Sequence, residues 1–165
     1  MTVLAHDWFP GPVPGRIAIG ERSWLYSSYA LHHGYGEVRI GPDSGVYNGT
    51  HFELGPDGEV EIGRFCTIVG AIIRTNGRVA IGDHTFIAHE VVIADTAFAT
   101  PPRGGPEPPG AGVQIGSEAW IGARALLLGG ASIGDEAIVG AGAVVGTDVP
   151  RGATVVGNPA RVVSR

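Results

Sequence analysis

Six histidines hold most of the proton-transfer capacity of this sequence: His6, His32, His33, His51, His84 and His89. Imidazole exchanges its proton near neutral pH, so a positioned histidine suits the work of a general base toward a hydroxyl. Two carboxylates follow His89 closely, Glu90 at the next position and Asp95 a little further on. His89 or the His32/His33 pair, helped by Asp95 or Glu90, therefore forms the candidate acid–base site. An amine acceptor, nucleophilic when unprotonated, would need no protein base. All 11 basic residues are arginine, which excludes a Schiff-base or lysine-base mechanism. The single cysteine, Cys66, excludes an internal disulfide and a zinc-ribbon site.

The elements that must position these groups are set by a repeat. Ile-Gly occurs at Ile19, Ile40, Ile62, Ile81, Ile115, Ile121 and Ile133, and apolar residues return every six positions between these marks. Ile81, Ile87, Ile93 and Ile115, Ile121, Leu127 are clear runs. A small or β-branched residue follows four positions after each mark: Cys66, Ile72, Thr85, Val91, Ala119, Ala125, Ala131, Ala137, Ala143. A six-residue period suits neither an amphipathic helix nor an alternating hairpin. It suits a coil with three flat faces, each sending one apolar side chain to the axis, with glycine relieving crowding where the backbone turns. The expected fold is all-β: a left-handed parallel β-helix of about six coils, starting at Ile19, Ile40, Ile62, Ile81, Ile115 and Ile133.

Residues 1–165 read as one domain, with a lead-in over 1–18, N-terminal coils over 19–95, C-terminal coils over 113–150 and a tail over 151–165. Between the coils, 96–112 is crowded with Pro and Gly, which forbids regular pairing and predicts an extruded loop. In the coil frame His89 stacks with Gly70 and Asn48. His32 and His33 share a polar column with Glu53, Thr75, Asn76 and Asp95. His84 and His89 fall on different parts of one coil. Trp24, Tyr26, Tyr29, Tyr35 and Tyr47 enrich the N-terminal coils in aromatics, as walls of an acceptor pocket or as packing at the solenoid end.

A net charge of -5 and scattered arginines give no reason to expect nucleic acid. No apolar run approaches a bilayer span and no signal segment opens the chain, so a cytoplasmic protein without membrane contact is expected.

From Val60 onward the chain resembles the hexapeptide-repeat acyltransferases, the group of the galactoside, maltose, serine and xenobiotic acetyltransferases. The resemblance rests on Ser117-Glu118-Ala119-Trp120-Ile121-Gly122-Ala123, on Ile138-Val139-Gly140-Ala141-Gly142-Ala143-Val144-Val145, and on the tail Val156-Gly157-Asn158-Pro159-Ala160-Arg161. It implies a homotrimer that carries acetyl-CoA or another acyl-CoA in the groove between neighbouring β-helices and transfers the acyl group to a hydroxyl or amine of a small molecule. It places Trp120, Gly122, Ala123, Gly140, Ala141, Thr147, Gly157, Asn158, Pro159 and Arg161 on the cofactor side. Thr147 stands where many members carry Lys. The loop histidine of the O-acetyltransferases reads here as Phe98 or Ala99, so a transfer by the same chemistry takes its base from elsewhere. A repeat protein that kept the scaffold and lost transfer is the alternative of a different class. The γ-class carbonic anhydrases offer a third comparison: His89 falls where one of their zinc ligands would, but the next reads Ala94, and no metal is expected.

Overall fold

The six-residue spacing folds into short strands that wrap a single axis. The computed structural model describes residues 16–26, 36–95 and 111–164, and no helix occurs among them. His6, His32, His33, Tyr29, Tyr35, Phe98, Ala99 and residues 96–110 of the expected loop lie outside the described residues.

Three sheets form the sides of a parallel β-helix. The first stacks Ile17–Ile19, Glu37–Ile40, Glu59–Ile62, Arg78–Ile81, Val113–Ile115 and Ser132–Ile133. The second runs from Trp24–Leu25 through Gly45–Tyr47, Thr67–Val69, Phe86–Ile87, Trp120–Ile121 and Ile138–Val139 to Thr154–Val156. The third stacks His51–Leu54, Ile72–Thr75, Val92–Ala94, Leu126–Leu128 and Val144–Val145. Every pairing is parallel until Arg161–Ser164 folds back antiparallel on Thr154–Val156.

The marks that set the frame fill the axis. Ile68, Ile87, Ile93, Ile121, Leu127 and Val139 are wholly buried, each contributing about 1.5–3 kcal/mol of apolar burial. The glycines after the marks allow coils to close on one another. A Cβ at Gly82 would stand 2.5 Å from the Ser117 amide nitrogen, and one at Gly116 would stand 2.5 Å from that of Asp135. Polar side chains at the small position of the same corner brace the stack: the Ser44 hydroxyl donates to the Gly63 carbonyl (2.8 Å) and the Thr85 hydroxyl to that of Gly116 (2.8 Å). Cys66 does likewise toward Gly82 at 3.1 Å, and burial pushes its thiol pKa up, so it stays a protonated donor.

The coil that starts at Ile62 departs from the six-residue frame at its second corner. Ile73, not Ile72, pairs with Ile93 and points to the axis, and Ala71 takes the small core position expected for Ile72. The step from Ile68 is one residue short, with Gly70 turning at φ 60°. The slip moves the polar column: Glu53 stands beside Arg74 rather than in line with Asp95, and Leu54 faces Thr75.

Candidate functional site

His89 and Glu90 turn the chain from the second sheet to the third, and both are exposed. Ala123 and Arg124 make the same turn one coil on, then Ala141 and Gly142. The register is fixed by backbone bonds. The Arg124 amide donates to the His89 carbonyl (3.0 Å), the Gly142 amide to Ala123 (2.9 Å) and the Val144 amide to Gly157 (2.9 Å). His89, Ala123 and Ala141 thus form one column along one edge of the helix, at about 4.8 Å per rung, and the Gly157 turn borders its end against the first residue of the third-sheet strand Val144–Val145. Of the ten residues expected on the cofactor side, Ala123 and Ala141 share this edge with His89, and the Gly157 turn borders it.

Charge on that edge is concentrated in one pair. Glu90 and Arg124 hold left-handed backbone at φ 58° and 61°, and Arg124 Nε donates to Glu90 Oε2 at 2.6 Å. The guanidinium holds the Glu90 carboxyl below its ordinary pKa, by hydrogen bond first and charge second, with a smaller contribution from His89. Arg124 is raised in return. His89 therefore stands next to a carboxylate kept ionised by its neighbour on the coil beyond.

The other expected residues are placed as follows. Gly122 and Gly140 spend their amides on the coil ladder, donating to Val139 and Val155 at 2.8 Å. A Cβ at Gly122 would meet the Ala141 nitrogen at 2.6 Å, so this glycine serves coil stacking. The outward surface of the edge is formed by Ala123 and Ala141. Trp120 is 53% exposed on the outer face of the second sheet, its ring 4.5 Å from that of Phe86. Asn158, Pro159 and Arg161 are exposed in the C-terminal turn and strand. Thr147 follows Val144–Val145 and sits at the third corner, away from the His89 edge.

Asp95 also belongs to the third corner. It is buried, and its carboxylate accepts from the Thr75 hydroxyl, the Asn76 amide (3.2 Å) and the Gly77 amide (3.0 Å). The strand Val92–Ala94, roughly 10 Å long at about 3.3 Å per residue, separates it from His89. The fold does not bring the two together within one chain. His84 lies at the first corner, stacked on Phe65 at 4.9 Å. No group of three His, Cys, Asp or Glu able to hold a metal occurs among the described residues.

Two partnerships were missed from the sequence, Glu90 with Arg124 and Phe86 with Trp120. Both were within reach, because each pair shares one position counted from the coil starts Ile81 and Ile115; the loop between them hides the match.

A parallel β-helix with this glycine-marked six-residue frame defines a hexapeptide-repeat protein. The family model for bacterial transferase hexapeptide (six repeats) matches residues 112–147. Nodulation protein L of Rhizobium meliloti (strain 1021) is 41% identical over 135 residues, which span 80% of this chain and 72% of the relative. The chain belongs to the bacterial hexapeptide-repeat transferase family.

Solved structures agree on the fold. The polysialic acid O-acetyltransferase OatWY superposes with a TM-score of 0.72 at 21% identity, over 90% of this chain and 74% of that one. A hexapeptide-repeat acetyltransferase of Vibrio cholerae O1 biovar eltor, complexed with acetyl coenzyme A, gives 0.63 at 22% identity over 90% and 69%. A variant of AntD, an N-acyltransferase from Bacillus cereus bound to dTDP and coenzyme A, gives 0.68 at 19% identity over 89% and 83%.

Proposed function

We propose that the protein is an acyl-CoA-dependent acyltransferase, acetyl being the simplest donor group, acting on a hydroxyl or amine of a small molecule. It works in the cytoplasm as a homotrimer, with acyl-CoA in the groove between neighbouring helices along the edge of Ala123, Ala141 and the Gly157 turn. The observation that supports this reading is the column itself: His89 stands on the same edge as Ala123 and Ala141, two of the residues expected on the cofactor side. Relatives of this fold are acetyltransferases and an N-acyltransferase, two of them with acetyl-CoA or CoA bound.

In the proposed reaction His89 takes the proton of an acceptor hydroxyl as its oxygen attacks the thioester carbonyl. The C–S bond breaks, the acyl group passes to oxygen, and the imidazolium returns its proton to the departing thiolate. Glu90 steadies the imidazolium, and Arg124 keeps Glu90 charged for that role. An amine acceptor that arrives unprotonated needs only the positioning.

The test is calorimetric titration with acetyl-CoA, followed by assay of free CoA thiol with mixed hydroxyl and amine acceptors. Saturable binding and acceptor-dependent thiol release support the reading. Absence of CoA binding sinks it and leaves a scaffold that has lost transfer.

A further inference from the structure

The short corner of the coil at Ile62 lies directly beside His89. In the coils before and after it, three residues turn the chain from the second sheet to the third: Asn48, Gly49 and Thr50, then His89, Glu90 and Val91. Only Gly70 and Ala71 make that turn between Val69 and Ile72, which pair with Tyr47 and His51. Gly70 holds the left-handed place of Gly49 and Glu90, at φ 60° against 84° and 58°. Ala71 holds the buried place of Thr50 and Val91. The missing residue is therefore the counterpart of Asn48 and His89 themselves.

The column reads Asn48, a gap, His89, Ala123, Ala141. Two rungs set Asn48 and His89 about 9.6 Å apart. A Cβ at Gly70, between them, would find its nearest neighbours at 3.7 Å, the Asn48 carbonyl oxygen, and 4.0 Å, the Glu90 nitrogen. The half-buried Val69 and Ile72 flank the gap. Asn48 and His89 are both exposed at its ends, and the Asn48 carboxamide has no hydrogen-bond partner among the described residues.

A hollow with a proton acceptor at one end, an amide at the other and aliphatic flanks suits a molecule with two polar groups on an apolar body. A carboxamide donates and accepts, so it takes a hydroxyl in either orientation. A hydrogen bond at each end leaves about 4 Å between the two polar atoms, close to the oxygen spacing of a 1,3-diol.

We propose that this gap is the acceptor subsite of the His89 edge and that it selects 1,3-diols, with Asn48 holding the second hydroxyl. The inference rests on the transfer reading given above. The first hydroxyl loses its proton to His89 and gains the acyl group as the C–S bond breaks; the second is held and unchanged. Asn48 determines which acceptor is used and moves no proton.

Thiol release from acetyl-CoA by the full-length protein, with cis-1,3-cyclohexanediol and with cyclohexanol as acceptors, tests this. The two share a ring and a reacting group, and doubling the hydroxyl alone gives a kcat/KM ratio of about two. A ratio of about ten or more is expected for the parent, the worth of one added hydrogen bond. Asn48→Ala should bring the ratio down to about two, and Asn48→Gln should restore part of it. Calorimetric titration with acetyl-CoA separates two kinds of failure. Absence of CoA binding removes the transfer reading and this subsite with it. Where acetyl-CoA binds, a parent ratio near two, a ratio in Asn48→Ala equal to the parent's, or release with neither alcohol overturns the subsite alone.

Discussion

Arg124 Nε lies 2.6 Å from Glu90 Oε2, and the two residues hold the same left-handed corner position on successive coils. Elsewhere along this corner that position is glycine, at Gly49, Gly70 and Gly142. The other corner holds the same conformation with Arg22, Asp43, Phe65, His84, Glu118 and Glu136, so backbone geometry alone does not demand glycine. Glu90 and Arg124 give this edge its ion pair.

The pair predicts a pH dependence. Glu90 has a lowered folded pKa, so its pairing energy is fully present above the unfolded carboxylate value and is lost as pH falls through the folded one. Melting temperature should therefore drop more steeply for the parent than for Arg124→Gln below about pH 4.5, and the two curves should run parallel above pH 6. Parallel curves throughout would mean that the pair does not form in solution. The exposed geometry makes the difference small.

His89→Ala should lower kcat for a hydroxyl acceptor by about 10²–10⁴-fold, the range of general base catalysis. The dissociation constant for acetyl-CoA should change little, and stability should stay within about 0.5 kcal/mol because the side chain is exposed. Glu90→Gln should give a smaller loss in kcat. An unchanged rate in His89→Ala with a hydroxyl acceptor would remove His89 as the base.

Much of the fold was legible because the axis demands one apolar residue per face. The Ile-Gly marks and the small residues after them needed no tertiary knowledge. The five-residue step before Ile73 was illegible, since Ile72 and Ile73 are equally apolar and only coil pairing decides which points inward. The site was less readable. Whether an exposed histidine or carboxylate does chemistry depends on its partners across coils, and sequence distance conceals these once a loop intervenes, as between Glu90 and Arg124. Trp24 is a similar case: its indole occupies the space left by the missing side chain of Gly45, a residue whose own local sequence says nothing about tryptophan.

Asp95 provides a contrast to His89. Replacing it with Ala removes the acceptor for the Thr75 hydroxyl and the Asn76 amide, leaving these buried donors unpaired at about 1–3 kcal/mol each before relaxation or hydration, while the Gly77 amide keeps the Thr75 hydroxyl oxygen at 2.9 Å. Asp95→Ala should cost about 2–4 kcal/mol in denaturant unfolding. Any loss of transfer should be recovered at temperatures where the variant remains folded. A stable but inactive variant would instead give Asp95 a direct part in the reaction.

The two kinds of glycine in this helix should respond differently to the same substitution. At Gly82 an added Cβ would meet the Ser117 nitrogen at 2.5 Å and the Gly116 carbonyl carbon at 2.6 Å. Those atoms belong to the ladder of the next coil and have nowhere to move. Overpacking of this kind typically costs about 1–3 kcal/mol, and here it also separates two coils. At Gly142 nothing lies within 4 Å of the new atom, and only the φ of 69° resists it, a left-handed strain of about 1–2 kcal/mol. Gly82→Ala should therefore lower the unfolding midpoint more than Gly142→Ala. Gly142→Ala should instead act on the edge shared with His89 and Ala141, where the added methyl narrows the proposed path of the acyl-CoA and weakens its binding. Equal stability losses from the two variants would contradict the close coil contact at Gly82.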